Sequence, residues 1–305
     1  MPRKPTIVQR CLAAGVLALL SCQSLHANFI LGPHRTVLCG VPVGRKVAAD
    51  RFGASLVITN QTASPQTYTV EVRKPADIKR ELMFGYEGLP ETKFVAAERE
   101  VVVGANSSKA IRLTADIPAG ESYYNRKWEA EVVVREKTSG FGIELQGQLW
   151  IETEAKPALD DSKAIAGEGF ILAPATLELK ALKKNAQVRL YNLSKQTLTF
   201  LIVSASPPEA VKEEFIPYSK GYERLSDQEW VTPSVDGEEQ IKRIKQGREI
   251  APQKRIRIEP GAYKTIRVDV NVPDKASASR KESFLFVRCP ELNTSQFVRI
   301  RIDAP

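Results

Sequence analysis

The chain has 305 residues, of which 43% are hydrophobic and 26% charged, with a formal net charge of +8. That balance excludes a disordered chain and leaves room for about two domains, each with its own core. The sequence holds only two histidines, His26 and His34, which removes most histidine-based catalysis and metal chemistry at the outset.

From the N-terminus, Arg3, Lys4 and Arg10 precede a short apolar run, Cys11 to Leu20, and then a polar stretch ending at Ala27. Such a run is too short to cross a hydrocarbon core of ~30 Å as a helix. Residues 1–27 are therefore expected to be a secretory signal, cut after Ala27. A second cut is also open. Leu19-Leu20-Ser21-Cys22 is lipobox-like, and in that case Cys22 carries a lipid anchor. Removing 1–27 takes away three basic residues and no acid, leaving +5. A mild excess spread over many strands is no nucleic-acid footprint. No later stretch approaches the length of a membrane-spanning helix.

The remainder reads as one module written twice. Lys109-Ala-Ile-Arg-Leu-Thr-Ala-Asp-Ile-Pro118 aligns without a gap on Lys264-Thr-Ile-Arg-Val-Asp-Val-Asn-Val-Pro273. Upstream, Leu56 to Thr62 corresponds to Val188 to Ser194; downstream, Val132 to Arg135 corresponds to Phe286 to Arg288. Apolar residues recur at every second position, as in Ile266, Val268 and Val270 or Val298, Ile300 and Ile302, which is the mark of strands with one face inward. The expected fold class is all-β: two tandem immunoglobulin-like β-sandwiches after the signal peptide. The expected boundaries are 28–154 for the first sandwich, 155–167 for a linker and 168–305 for the second. The second copy carries a long inserted loop, about 207–253, read as a solvated excursion with a short helix near Glu239 to Ile250. The linker is poor in large apolar residues, so each sandwich is expected to fold alone.

Chemistry is scarce. His34 follows Pro33 in a lead-in segment and reads as an exposed histidine. Asp160-Asp161 and Glu238-Glu239 read as solvated charges, with no paired-carboxylate site. Four Asn-X-Ser/Thr sequences begin at Asn60, Asn106, Asn192 and Asn293; two stand at equivalent places in the repeat and read as turns. Outside the signal region the cysteines are Cys39 and Cys289. An oxidising compartment lets them pair, and two separate thiols is the other reading. No enzyme activity, metal or cofactor is expected.

Three features resemble the PapD-like periplasmic pilus-assembly chaperones: strands ending in Asn60 and Asn192, the Ile258-Glu-Pro-Gly261 entry to the Ile266 strand, and the charged-then-aromatic runs at Glu121 to Arg126 and Lys281 to Phe286. The resemblance implies a periplasmic, non-enzymatic protein that holds a pilin-like subunit by strand addition. It also implies partner-binding residues: Arg35 for the subunit's terminal carboxylate, and Ile143, Leu145, Leu149 and Ile151 for its groove. The sequence departs from the family in two places. The family's Thr-Arg pair is inverted as Arg35-Thr36, and both copies look like the family's first domain. The alternative class is an envelope-anchored structural or adhesive module.

Overall fold

The computed structural model describes residues 28–53, 55–137, 143–159, 169–180, 185–204, 216, 218–225, 231–245, 248–271 and 280–303, with backbone alone at 204 and 242–252. The signal segment with Cys22, most of the linker, and Pro207 and Pro208 of the insertion lie outside the described residues.

The first part of the chain runs through β1 (Phe29–Gly32), β2 (Arg35–Val41), β3 (Lys46–Ala48), β4 (Val57–Asn60), β5 (Gln66–Arg73) and β6 (Glu87–Gly88). It continues through β7 (Val95–Ala97), β8 (Glu100–Val103), β9 (Ser108–Ala110), β10 (Leu113–Asp116), β11 (Lys127–Glu136) and β12 (Glu144–Thr153). One layer is the sheet β2-β12-β11-β5-β8; the facing layer is split into β1-β4-β9 and β3-β10-β7. The second part has β13 (Phe170–Ala173), β14 (Thr176–Lys180), β15 (Asn185–Asn192), β16 (Leu198–Ser204), β17 (Glu223–Arg224) and β18 (Val231–Val235). After these come β19 (Glu239–Lys245), β20 (Arg248–Ile258), β21 (Tyr263–Val270), β22 (Arg280–Cys289) and β23 (Thr294–Asp303). Here the layers are β14-β23-β22-β16-β20-β19 and β13-β15-β21-β18. The chain is all-β, in two sandwiches of like strand order.

Alternation places the cores. Leu149 and Ile151 of β12 pack in the first core with Phe29, Ile58, Val101 and Val132. Val298, Ile300 and Ile302 of β23 pack in the second core with Phe200, Ile266 and Val287. Each such side chain stabilises its sandwich by roughly 1.5–3 kcal/mol. Asn60 and Asn192 are fully buried turn-formers. The Asn60 side-chain amide donates to the carbonyls of Ser64 (2.8 Å) and Gly104 (2.9 Å), and its oxygen accepts from the Thr62 N–H and hydroxyl. Asn192 does the same with Gln196, Ile258 and Ser194.

The expected helix needs correction. The stretch Glu239 to Ile250 is no helix; it forms β19 and the start of β20, paired from Glu239↔Arg255 to Lys245↔Arg248. The residues are good helix formers, but β20 continues along β16 from Leu198↔Ile258, and sheet pairing outweighs a propensity of a few tenths of a kcal/mol per residue. The register slips between Ile241 and Arg243, opposite Pro252, which has no N–H to lend the ladder.

A further apolar cluster lies between the sandwiches: Tyr86 and Trp150 from the first, and Val203, Ile216, Phe284, Phe286 and Phe297 from the second. In a separate, smaller cluster the linker's Leu159 is buried against Ile171, Ala173 and Tyr191 of the second sandwich. Far from having little to bury, the junction is a third core.

Candidate functional site

Two short segments build the junction, and they share a sequence. Gly85-Tyr-Glu-Gly-Leu89 and Gly221-Tyr-Glu-Arg-Leu225 stand at equivalent places. In each, a two-residue strand runs parallel to the start of a long one: β6 beside Trp128 and Glu129, and β17 beside Lys281 and Glu282. The following Leu89 and Leu225 are buried in their own cores. The preceding residues reach across. Met83 and Phe84 pack with the Phe284 cluster, while Tyr218 and Ser219 lie against the outer face of β2. This repeated motif could have been found in the sequence by self-comparison; its reach across the junction could not.

Gly85 shows how close the approach is. Its φ is +77°, and a Cβ there would sit 2.5 Å from the Phe297 ring. The ring of Tyr86 stacks on Trp150 at 5.7 Å, and its hydroxyl donates to Glu152 Oε1 at 2.6 Å.

At the centre lies Arg299, fully buried. Its guanidinium donates to both oxygens of Glu152 from the first sandwich and to Glu282 from the second. Its faces are covered by Phe284 and Phe297. The Lys127 ammonium, also buried, donates to the Phe297 carbonyl at 2.7 Å. Burial pulls the Lys127 pKa down to about 8, even with Glu152 opposing. Burial alone would raise Glu152, but Arg299, Lys127 and the Tyr86 hydroxyl together hold it at about 2.

Beside this cluster a cleft of about 470 Å³ opens between the sandwiches. Arg35, Val37 and Cys39 of β2 form one wall with Phe52 and Gly53; Tyr218, Ser219, Lys220, Tyr222 and Arg301 form the other. Arg35 and Lys220 are exposed at the cleft, whereas Arg301 is engaged with Ser219, Glu178 and Glu282. The Arg35 guanidinium donates through Nε to Gln148 Oε1 at 3.1 Å.

The sequence-derived site residues separate. Arg35 lines the cleft. Leu149 and Ile151 are fully buried in the first core, with β11 on one side and β2 on the other. Ile143 and Leu145 are only partly buried against that core. From Glu144 to Gly147, β12 pairs, among the described residues, with β11 alone, because its pairing with β2 begins at Gln148↔Arg35. The strand thus has an open edge that stops at Arg35. Cys39 and Cys289 are both free thiols, so the paired reading is not realised. Cys39 faces Ser219, with its pKa pushed up to about 11, first by burial and then by Glu152; Cys289 sits in the second core near Glu291. His34 is exposed, and its carbonyl accepts from the Gln148 N–H. Among the described residues, no helix is long and apolar enough to cross a membrane.

No family model matches the sequence, and no curated protein matches it. Solved structures do match. They are PapD-like. The Pseudomonas aeruginosa CupB2 chaperone is 13% identical with a TM-score of 0.28, over 88% of this chain and 98% of its own. The CsuC–CsuE chaperone–tip adhesion subunit pre-assembly complex of Acinetobacter baumannii is 9% identical with a TM-score of 0.29, over 90% and 98%. A PapD-like domain of human CEP192 is 11% identical with a TM-score of 0.31, over 42% and 87%. At these identities and TM-scores the matches say nothing of what this chain does.

Proposed function

We propose that this chain is an exported, non-enzymatic protein-binding module that holds an extended segment of a partner, in the manner of an assembly chaperone for pilus-like surface structures. One observation carries the reading: the open edge of β12 and the cleft are contiguous through the Arg35↔Gln148 pair. A partner strand lying along Glu144–Gly147 first meets an edge that no other described strand occupies, then the exposed Arg35 guanidinium and the Lys220 ammonium at its end. Partner side chains on alternate positions meet Ile143 and Leu145, which their own core covers only in part. Backbone pairing supplies affinity in such strand addition, and a carboxylate on Arg35 fixes the register.

The test uses the full mature chain and a peptide of alternating apolar residues with a free C-terminal carboxylate. The free-acid peptide is expected to bind, and its amidated twin to bind about tenfold more weakly or worse, because a hydrogen bond to a charged group is lost. Arg35→Ala is expected to erase that difference between the two peptides. Leu145→Asp should abolish binding while lowering the melting midpoint less than Leu149→Ala, which should cost roughly 2–5 kcal/mol of stability. Equal binding of both peptides, or none, sinks the holding reading and leaves the structural or adhesive module.

A further inference from the structure

The second sandwich carries a hairpin that the first lacks, and the charge of the chain is concentrated there. Between 239 and 258 the sequence has seven Lys and Arg against two Glu, whereas 28–154 holds sixteen of each sign. The hairpin therefore accounts for the whole positive excess that remains after residue 27. Its outer strand, β19, ends the sheet: among the described residues it pairs with β20 and no other strand. On β20, Ile256 and Ile258 enter the core while Arg255 and Arg257 stand exposed on the opposite face. The described ion pairs here, Lys254 with Glu238 and Arg255 with Glu239, are made within the hairpin and its approach.

We propose that this hairpin is a second interaction surface, distinct from the cleft, and that its occupant is an acidic extended polypeptide segment that adds to β19. Two features select that occupant. The β19 edge, which no other described strand occupies, recognises another backbone, which a lipid surface or a nucleic acid does not offer. The basic side chains in the hairpin sequence favour acidic residues and repel a second copy of the same hairpin. The register slip opposite Pro252 limits the pairing length to a few residues on either side of it.

The probe is a synthetic peptide of about ten residues, alternating Glu and Val, labelled for anisotropy and titrated with the full mature chain. Saturable binding that weakens as salt is raised is expected, with a loss of about tenfold or more in Arg255→Glu/Arg257→Glu, whose melting midpoint stays near wild type. A peptide of the same sequence, N-methylated at alternate residues, keeps its charge but cannot pair, and is expected to bind at least about tenfold more weakly. Equal binding of the methylated peptide overturns strand addition. Binding to vesicles containing an anionic phospholipid with none to the peptide overturns the choice of occupant, and unchanged peptide binding by the Glu variant overturns the site. Arg35→Ala separates this surface from the cleft: it should leave binding of the acidic peptide unchanged.

Discussion

Arg299 occupies the place in the second sandwich that Gln148 occupies in the first, one position before a core residue, with each backbone N–H bonded to the strand at its side. Taking a guanidinium and two carboxylates out of water costs several kcal/mol per ion, and good geometry repays that without a large surplus. The Glu152–Arg299–Glu282 cluster joins one carboxylate from the first sandwich to an arginine and a second carboxylate from the second, so removing one partner leaves buried charge uncompensated. The indole N–H of Trp150 is buried and has no partner among the described residues, while its ring gains the stack with Tyr86. A second buried carboxylate behaves oppositely to Glu152. Glu131 has a fully buried side chain; burial pushes its pKa up to about 7, against the Arg80 guanidinium at 2.6 Å and with Glu129 adding repulsion. Its folded-state pKa lies above the unfolded one, so the native state is favoured at low pH. That advantage falls away as pH rises from about 4.5 through about 7. Glu131→Gln is therefore expected to stabilise by under about 1 kcal/mol at pH 5 and by up to about 3 kcal/mol at pH 8. Urea melts at the two pH values check it; an equal effect at both contradicts the assignment.

The segments that close the junction form at the scale of the element because the long strands offer them a fixed seat. Glu129 accepts the Met83 N–H at 2.7 Å, and Glu282 accepts the Ser219 N–H at 3.0 Å. The Leu89 and Leu225 N–H groups bond to the carbonyls of those same two glutamates. Each segment is thus held at both ends before it reaches over. At Gly85 a side chain is excluded twice, by the left-handed backbone and by the Phe297 ring. Gly85→Ala is expected to cost roughly 1–3 kcal/mol. Gly221→Ala, at a similar φ with nothing near the added Cβ, should cost only the backbone part, about 1 kcal/mol. Thermal melts of the two variants side by side test this; equal shifts would mean that the Phe297 contact gives way freely.

For the whole molecule, the third core changes what independence of the sandwiches means. Phe284, Phe286 and Phe297 face away from the second core and are covered by the first sandwich together with Ile216 and Tyr218. Separated, residues 28–159 expose Trp150 and Tyr86, and 169–305 exposes the aromatic cluster with Arg299 deprived of Glu152. The full chain is expected to melt in a single transition. Each half should melt at a lower temperature than the full chain and bind a hydrophobic dye in its native state. Two separate transitions in the full chain, each matching an isolated half, would show that the junction couples nothing.

The sequence by itself determined the strands, their inward faces and the Asn60 and Asn192 turns, because a period of two and a buried turn-forming amide are local facts. It could not separate the partly buried Ile143 and Leu145 from the fully buried Leu149 and Ile151, since all four share one parity. What lies over a strand's outer face is not local. The same alternation that sent Val298 and Ile300 inward sent Phe297, Arg299 and Arg301 outward, toward what reads as solvent. Only the tertiary structure turned that outward face into the centre of the molecule, by laying the other sandwich on it. The helix expected near Glu239 failed for the same reason: propensity is a property of the segment, while the sheet edge that captured it belongs to the fold.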